Sequence, residues 1–130
     1  MAAETFPPDP RSVGAVRRFV ADAVRAAGAD DPSVDDAVLV ASEVATNVVD
    51  HARTPFEVDV HIDGGAALVA VRDGSAVGLA ARDLRADAED GRGLHIVGSL
   101  ALDWGVESHR DGGKVVWWRS ALHRGGPDGG

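Results

Sequence analysis

Apolar residues recur with a helical period in two stretches of the first half of the chain. At residues 12–27 they recur with the 3.6-residue period of a helix that has one buried side. A second periodic stretch covers residues 33–52, and Ser33 and Asp36 have the spacing of a capping box at its start. Pro55 stands just beyond it, where a helix cannot continue. The pattern therefore predicts two consecutive helices.

In the second half of the chain the period falls to two, which is typical of half-buried strands. The alternation predicts four strands, at residues 56–62, 66–72, 103–109 and 113–119. Asp63-Gly64-Gly65 suits the hairpin turn between the first two, and a short helix at about 94–101 separates the two pairs. This order predicts an α+β two-layer sandwich, with a largely antiparallel mixed sheet covered on one face by about three helices.

The two ends of the chain offer little that would join a hydrophobic core. Three prolines lie within residues 1–10, and the chain ends in the polar sequence HRGGPDGG. We expect a flexible arm at 1–10, one domain at 11–120 and a disordered tail at 121–130.

Charge narrows the range of ligands. The chain has 13 Lys and Arg against 21 Asp and Glu, a net charge of −8, which disfavours nucleic-acid binding and binding to an anionic membrane. An anionic ligand would then be held by backbone amides, a metal or one or two Arg. Cysteine is absent, which excludes disulfides and thiolate metal sites. There is no signal-like segment and no run of about 18 apolar residues, so we expect a cytoplasmic protein.

The sequence SEVATNVVDHA places Glu43, Asn47 and His51 four residues apart within the second helix. This spacing puts them on one stripe, at the edge of the apolar side. Taken singly, each is more often a solvated helix residue. Asn disfavours helix interiors, however, and a carboxylate one turn from an amide can orient Mg²⁺ and a hydroxyl nucleophile.

Two glycine-containing sequences offer further candidates. In VRDGSA, Asp73 and Gly74 form either an ordinary turn or an acceptor for the exocyclic N–H of a purine. In EDGRGLHIV, the glycines before a helix serve either as a plain loop or as a site for phosphate at a helix N-terminus. The sequence has neither the dinucleotide-binding fingerprint nor a P-loop.

The order of these motifs resembles the N-box and the two glycine boxes of the GHKL (Bergerat-type) ATPases. SEVATNVVDHA, GRGLHIV and DWGVESHRDGGKVVWW resemble, more narrowly, the anti-sigma-factor serine/threonine kinases among actinobacterial regulatory ATP-binding proteins. The resemblance covers about residues 12–119. It implies ATP and Mg²⁺ as cofactors, with residues 76–90 as a lid over the nucleotide.

The resemblance also implies roles for individual residues. Glu43 would be the base that activates the attacking hydroxyl, and Asn47 would hold Mg²⁺ between the ATP phosphates. Asp73, followed by Gly74, would bind the adenine amino group. The lid hinge and phosphate contacts would come from Gly91, Arg92, Gly93 and Leu94.

The function that the resemblance implies is an anti-sigma-factor-type serine/threonine kinase that binds ATP–Mg²⁺, sequesters a sigma factor and phosphorylates an anti-anti-sigma (antagonist) protein. Family members often dimerise, so a second copy is another candidate partner. Two departures motivate an alternative, a non-catalytic or weakly nucleotide-binding module that acts by protein contact alone. Gly74 directly follows Asp73 where the family has Asp-x-Gly, and Lys114 replaces the family's late Thr. The ATPase half of a sensor histidine kinase is disfavoured, because no helix with a phosphoacceptor His precedes the domain.

Overall fold

A five-stranded sheet forms one layer of the computed structural model, which describes residues 2–74, 93–108 and 113–124 without the side chains of 93–96. The strands are β1 (Ala2–Phe6), β2 (Phe56–Asp63), β3 (Ala66–Asp73), β4 (Asp103–Ser108) and β5 (Lys114–Ala121). Their order is β1-β2-β3-β5-β4, and every neighbouring pair is antiparallel. The predicted mixed sheet is therefore antiparallel throughout its described strands.

Helices cover one face of this sheet. They are α1 (Arg11–Ala26), α2 (Asp31–Asn47) and α3 (Gly93–Leu100), and α2 continues into a π-helical turn at Val48–Ala52. The prediction of an α+β two-layer sandwich is confirmed.

The hydrophobic core lies between the helices and the covered face of the sheet. Two rows of cross-strand neighbours form its floor, Val58–Val71–Val116 and Val60–Val69–Trp118. All six side chains are buried, together with the apolar sides of α1 and α2. Burial of one such side chain stabilises the fold by about 1.5–3 kcal/mol. The alternation seen in the sequence thus corresponds to the covered face.

The opposite face carries no helix in the described part of the chain. Trp117 lies there, half-buried, directly across from Gly105 of β4. A Cβ at Gly105 would stand 2.8 Å from Nε1 of the Trp117 indole, so the ring packs on the glycine backbone. Trp117 and Trp118 are adjacent in β5 and therefore face opposite sides of the sheet.

The flexible arm expected at residues 1–10 is wrong for its first part. Residues 2–6 form β1, an edge strand in register with β2 that places Phe6 across from Phe56. The Phe6 ring stacks on Phe56 at 5.6 Å and meets Phe19 of α1 edge-on at 6.0 Å. One large apolar side chain thus anchors a segment whose short sequence has no visible alternation.

The start of α2 and the chain after β5 also differ from expectation. Asp30, not Ser33, caps the helix, because Oδ1 of Asp30 accepts a hydrogen bond of 3.0 Å from the Ser33 N–H. Ser33 Oγ instead accepts from the backbone N–H of His123 at 2.9 Å, and Asp30 N–H donates to the His123 carbonyl at 2.7 Å. The tail predicted to be disordered is therefore ordered at residues 121–124, while 125–130 lie outside the described residues.

The Asp30 carboxylate is stabilised in its charged form by this cap. Hydrogen bonds from Ser33, first from its side chain and then from its backbone, lower the pKa of Asp30 below its usual value. The separate bonds of Ser33 and Asp30 to His123 hold the start of α2 and the end of β5 together.

Candidate functional site

The two ends of helix α2 connect to opposite ends of the sheet. Its first residues are bonded to His123, just beyond the last residue of β5. Its 17 residues rise about 25 Å, and the eight residues of β5 extend about 26 Å. The last turn of α2, with Asn47, leads through the π-helical turn to Phe56, the first residue of β2. Phe56 lies across from Asp73, which lies across from the first residue of β5, Lys114.

A hydrogen bond near the end of β3 supports this placement. The backbone N–H of Gly74 donates to Oγ1 of Thr54 at 3.0 Å. Thr54 belongs to the short connection between the π-helical turn and β2. The bond thus joins the segment leaving α2 to the residue that follows Asp73, and Asn47 and Asp73 come to the same end of the sandwich. The sequence gives no signal for this role of Thr54.

Glu43 and Asn47 are half-buried on α2, next to the buried residues Ser42, Val44 and Val48. The predicted position at the edge of the apolar side is therefore what the structure shows. Ser42 lies toward α1, where its Oγ accepts hydrogen bonds of 3.1 and 3.0 Å from the Arg17 guanidinium.

His51 does not continue the α-helical stripe. It lies in the π-helical turn, which closes through a 3.1 Å bond from Arg53 N–H to the Val48 carbonyl. Arg53 then takes a left-handed conformation with φ of 57° and ends the helix. His51 is exposed and has a partner within the chain. Single π-helical turns of this kind occur often at functional sites.

Asp73 and Lys114 form a buried ion pair at this end of the sheet. The two residues lie directly opposite each other on β3 and β5, on the covered face. Lys114 Nζ is 3.1 Å from Oδ2 of Asp73, and the side chains are 3% and 0% exposed. Asp73 has a further interaction within the chain. Lys114, which replaces the Thr that the family has at this position, therefore contacts Asp73, the residue expected to bind adenine.

The glycine-containing helix start is described in part. Gly93 is the first residue of α3, which packs against α2. Gly91, Arg92 and the lid expected at 76–90 lie outside the described residues, as does the side chain of Leu94. Their predicted contacts with phosphate remain predictions.

An open pocket of about 360 Å³ lies at the ends of the strands beside Asp73 and Gly74. Glu57 and Arg72, from the helix-free face, line it as well, whereas Glu43 and Asn47 do not. It therefore reaches the Asp73 end of the sheet without contacting Glu43 or Asn47 of α2.

Magnesium at this site would depend on oxygen ligands. The residues that the structure describes contain no cluster of three or more His, Asp or Glu side chains suited to a metal ion. An amide oxygen at Asn47, with phosphate oxygens and waters completing the shell, still fits the hard and strongly hydrated Mg²⁺ ion. Within the described ranges, no helix is long and apolar enough to span a membrane.

Comparison with known proteins places the chain in a family. The model of the histidine kinase-like ATPase domain matches residues 6–119. The chain belongs to this family. No curated protein matches it significantly.

A solved structure shares the fold of the chain. It contains the RsbU and RsbW domains of Rv1364c from Mycobacterium tuberculosis, with a TM-score of 0.71 and 19% identity. The match covers 95% of this chain but 33% of the other, so the present chain corresponds to about a third of that protein. At this identity the likeness establishes the fold. The sequence-based recognition of a GHKL-type ATPase domain is thereby confirmed at the level of family and fold.

Proposed function

We propose that this chain is an anti-sigma-factor-type serine/threonine protein kinase of the cytoplasm. It binds ATP–Mg²⁺, sequesters a sigma factor and transfers the γ-phosphoryl group to a serine or threonine of an anti-anti-sigma protein. The observation that carries the proposal is the position of Asn47 and Asp73, from a helix and a strand, at one end of a histidine kinase-like ATPase fold.

The proposed cleft would divide the nucleotide between two elements. The Asp73 carboxylate, on the covered face of the sheet, accepts an N–H of the base. Asn47, one turn beyond Glu43 on α2, stands at the phosphate side. Mg²⁺, when bound, would neutralise phosphate charge, and the Asn47 amide oxygen would hold it. This division allows a protein of net charge −8 to bind a triphosphate without a basic cluster.

The proposed chemistry requires one base. The Glu43 carboxylate takes the proton of the substrate hydroxyl as its oxygen attacks the γ-phosphorus. A new O–P bond forms, the bond between the γ-phosphorus and the bridging oxygen breaks, and ADP leaves with that bond's electrons. Half-burial of Glu43 leaves it within reach of a protein substrate while limiting its contact with water.

Phosphotransfer from radiolabelled ATP to the cognate antagonist tests this proposal. We expect Glu43→Ala and Glu43→Gln to lose transfer by at least about a hundredfold, because general-base catalysis contributes about 10²–10⁴-fold. ATP affinity should stay within about threefold of wild type. Asp36→Ala removes an exposed carboxylate from the same helix and is the matched control, with unchanged transfer expected. Full transfer by Glu43→Gln would exclude Glu43 as the base.

The buried Asp73–Lys114 pair favours a second candidate, a regulatory module that binds nucleotide weakly or not at all and acts by contact alone. The ammonium occupies one side of the carboxylate that would receive the base. Calorimetric titration with ATP and ADP, with and without Mg²⁺, separates the two functions. Absence of heat at millimolar nucleotide, with sigma-factor binding retained, would support the second candidate and contradict the first.

A further inference from the structure

Lys114 and Asp73 are the one charged pair within the described covered face of the sheet. The next cross-strand pair on the same face is Val71 with Val116, both buried. Replacement of a buried ion pair by well-packed apolar residues is often neutral or stabilising. An apolar pair would continue the row, so stability alone does not account for two charges at this position.

The ion pair brings together a group with several hydrogen-bond donors and a group with several acceptor sites. An ammonium group has three N–H donors, and a carboxylate has two oxygens with about four lone-pair sites. In the described structure Lys114 Nζ contacts Oδ2 of Asp73, at 3.1 Å. A strong donor and a strong acceptor therefore stand side by side at the end of the sheet where the base is proposed to bind.

We propose that Lys114 is a specificity-determining residue of the base subsite. Its ammonium donates to a ring nitrogen of adenine while Asp73 accepts from the adjacent amino group. Adenine fits this pair because its amino group lies between two ring acceptors, N1 and N7. The inference rests on the proposed function. It assigns to Lys114 a direct contact with the base, at the position where replacement of the family's Thr led us to expect the loss of a contact.

The placement of Lys114 supports a role toward a ligand. It is the first residue of β5, directly after Gly113, so it stands at the end of the strand next to the chain leaving α2. Contact with the carboxylate holds the ammonium in place and limits its motion before a base arrives. A preorganised donor loses less conformational entropy on binding than a freely rotating lysine.

Nucleotide analogues test the inference without mutation. Calorimetry would compare ATP, 1-deaza-ATP and 7-deaza-ATP on the wild-type chain, since each analogue replaces one ring acceptor by C–H. We expect one analogue to bind at least about tenfold more weakly than ATP, the effect of losing a hydrogen bond to a charged donor. Equal affinity for all three nucleotides would overturn the inference and leave the proposed function intact.

Variants then assign the effect to Lys114. The Lys114→Met variant should bind ATP and the weaker analogue with affinities that agree within about twofold. Arg72→Met is the matched control, because Arg72 is adjacent to Asp73 but exposed on the other face, and it should keep the wild-type ratio. If Lys114→Met does not fold, Lys114→Gln keeps a neutral donor and should retain a smaller ratio than wild type.

Three results would contradict the inference in different ways. A wild-type ratio in Lys114→Met would show that another group donates to the ring. If Lys114→Met binds all three nucleotides more tightly than wild type by one common factor, Lys114 blocks the subsite. If the wild-type chain binds none of the three at millimolar concentration, the proposed function fails and the inference fails with it.

Discussion

The two faces of the sheet are built from the same strands, yet their side chains have different consequences for the protein. Trp118 on the covered face is fully buried in the core, whereas its neighbour Trp117 packs on Gly105 and stays partly exposed. Charged residues follow the same division. Arg72 on the open face is solvated, but Lys114, beside it in the sheet, is buried against Asp73. We therefore expect burial to determine which replacements in this sheet destabilise the fold.

The largest expected effect comes from replacing each of the two tryptophans by alanine. Trp118→Ala should lower the free energy of unfolding by about 3–5 kcal/mol, because it removes a large side chain from the centre of the core. Trp117→Ala should lose less than about 2 kcal/mol, since part of that side chain is already in water. Urea denaturation followed by circular dichroism measures both. Equal losses would contradict the assignment of the two faces.

Removal of one partner of the ion pair should have the next largest effect. Lys114→Met should cost about 3 kcal/mol in unfolding free energy, because it leaves the Asp73 carboxylate buried without its counter-charge. Arg72→Met on the open face should stay within about 0.5 kcal/mol of wild type. The double variant Asp73→Leu/Lys114→Met should recover most of the loss, and an additive loss would contradict a coupled pair.

Contact between Trp117 and Gly105 defines a smaller effect on the open face. Gly105→Ala places a methyl group within 2.9 Å of three indole atoms, so the ring must move. We expect a loss of about 1–3 kcal/mol, together with a shift of the Trp117 indole N–H resonance. Gly65→Ala, whose added Cβ meets nothing within 4 Å, is the control and should change stability little. An unchanged indole resonance in Gly105→Ala would contradict this packing.

The cap at Asp30 gives the smallest effect and a pH dependence. Its pKa is lowered in the folded chain from 3.8, so its contribution is present above about pH 4 and is lost as the pH falls through the folded value. Asp30→Ala should therefore be less stable than wild type at pH 7, and the difference should shrink below pH 4. Asp30→Asn keeps the cap and loses the charge. A difference that grows in acid would contradict the capping contact.

The sequence predicts the parts of the fold that depend on periodicity. Alternation at 56–62 and 66–72 locates β2 and β3, because one face of each strand must be apolar to cover the core. The helical periods locate α1 and α2 for the same reason. The adjacent Trp117 and Trp118 must face opposite sides in any strand.

Features that depend on a distant partner were not visible in the sequence. β1 forms because Phe6 meets Phe19 and Phe56, which are far from it along the chain. Ser33 has the sequence of a helix cap but bonds to His123, which leaves the cap to Asp30.

The candidate site shows the same limit. The sequence identifies candidate residues of the site, because Glu43, Asn47 and Asp73 stand in recognisable motifs. Lys114 was noted as a departure from the family, but its contact with Asp73 depends on the register of β3 against β5, which neither strand specifies alone.

The central claim is that the ends of α2 and β3 together bind ATP on the covered side of the sheet. Titration of the ¹⁵N-labelled chain with Mg²⁺-ATP, followed by amide resonances, tests it most directly. We predict saturable shifts at Asn47, Asp73, Gly74 and Lys114, with the open-face residues Leu68 and Arg119 unchanged. Shifts confined to the open face, or none at millimolar ATP, would contradict the claim.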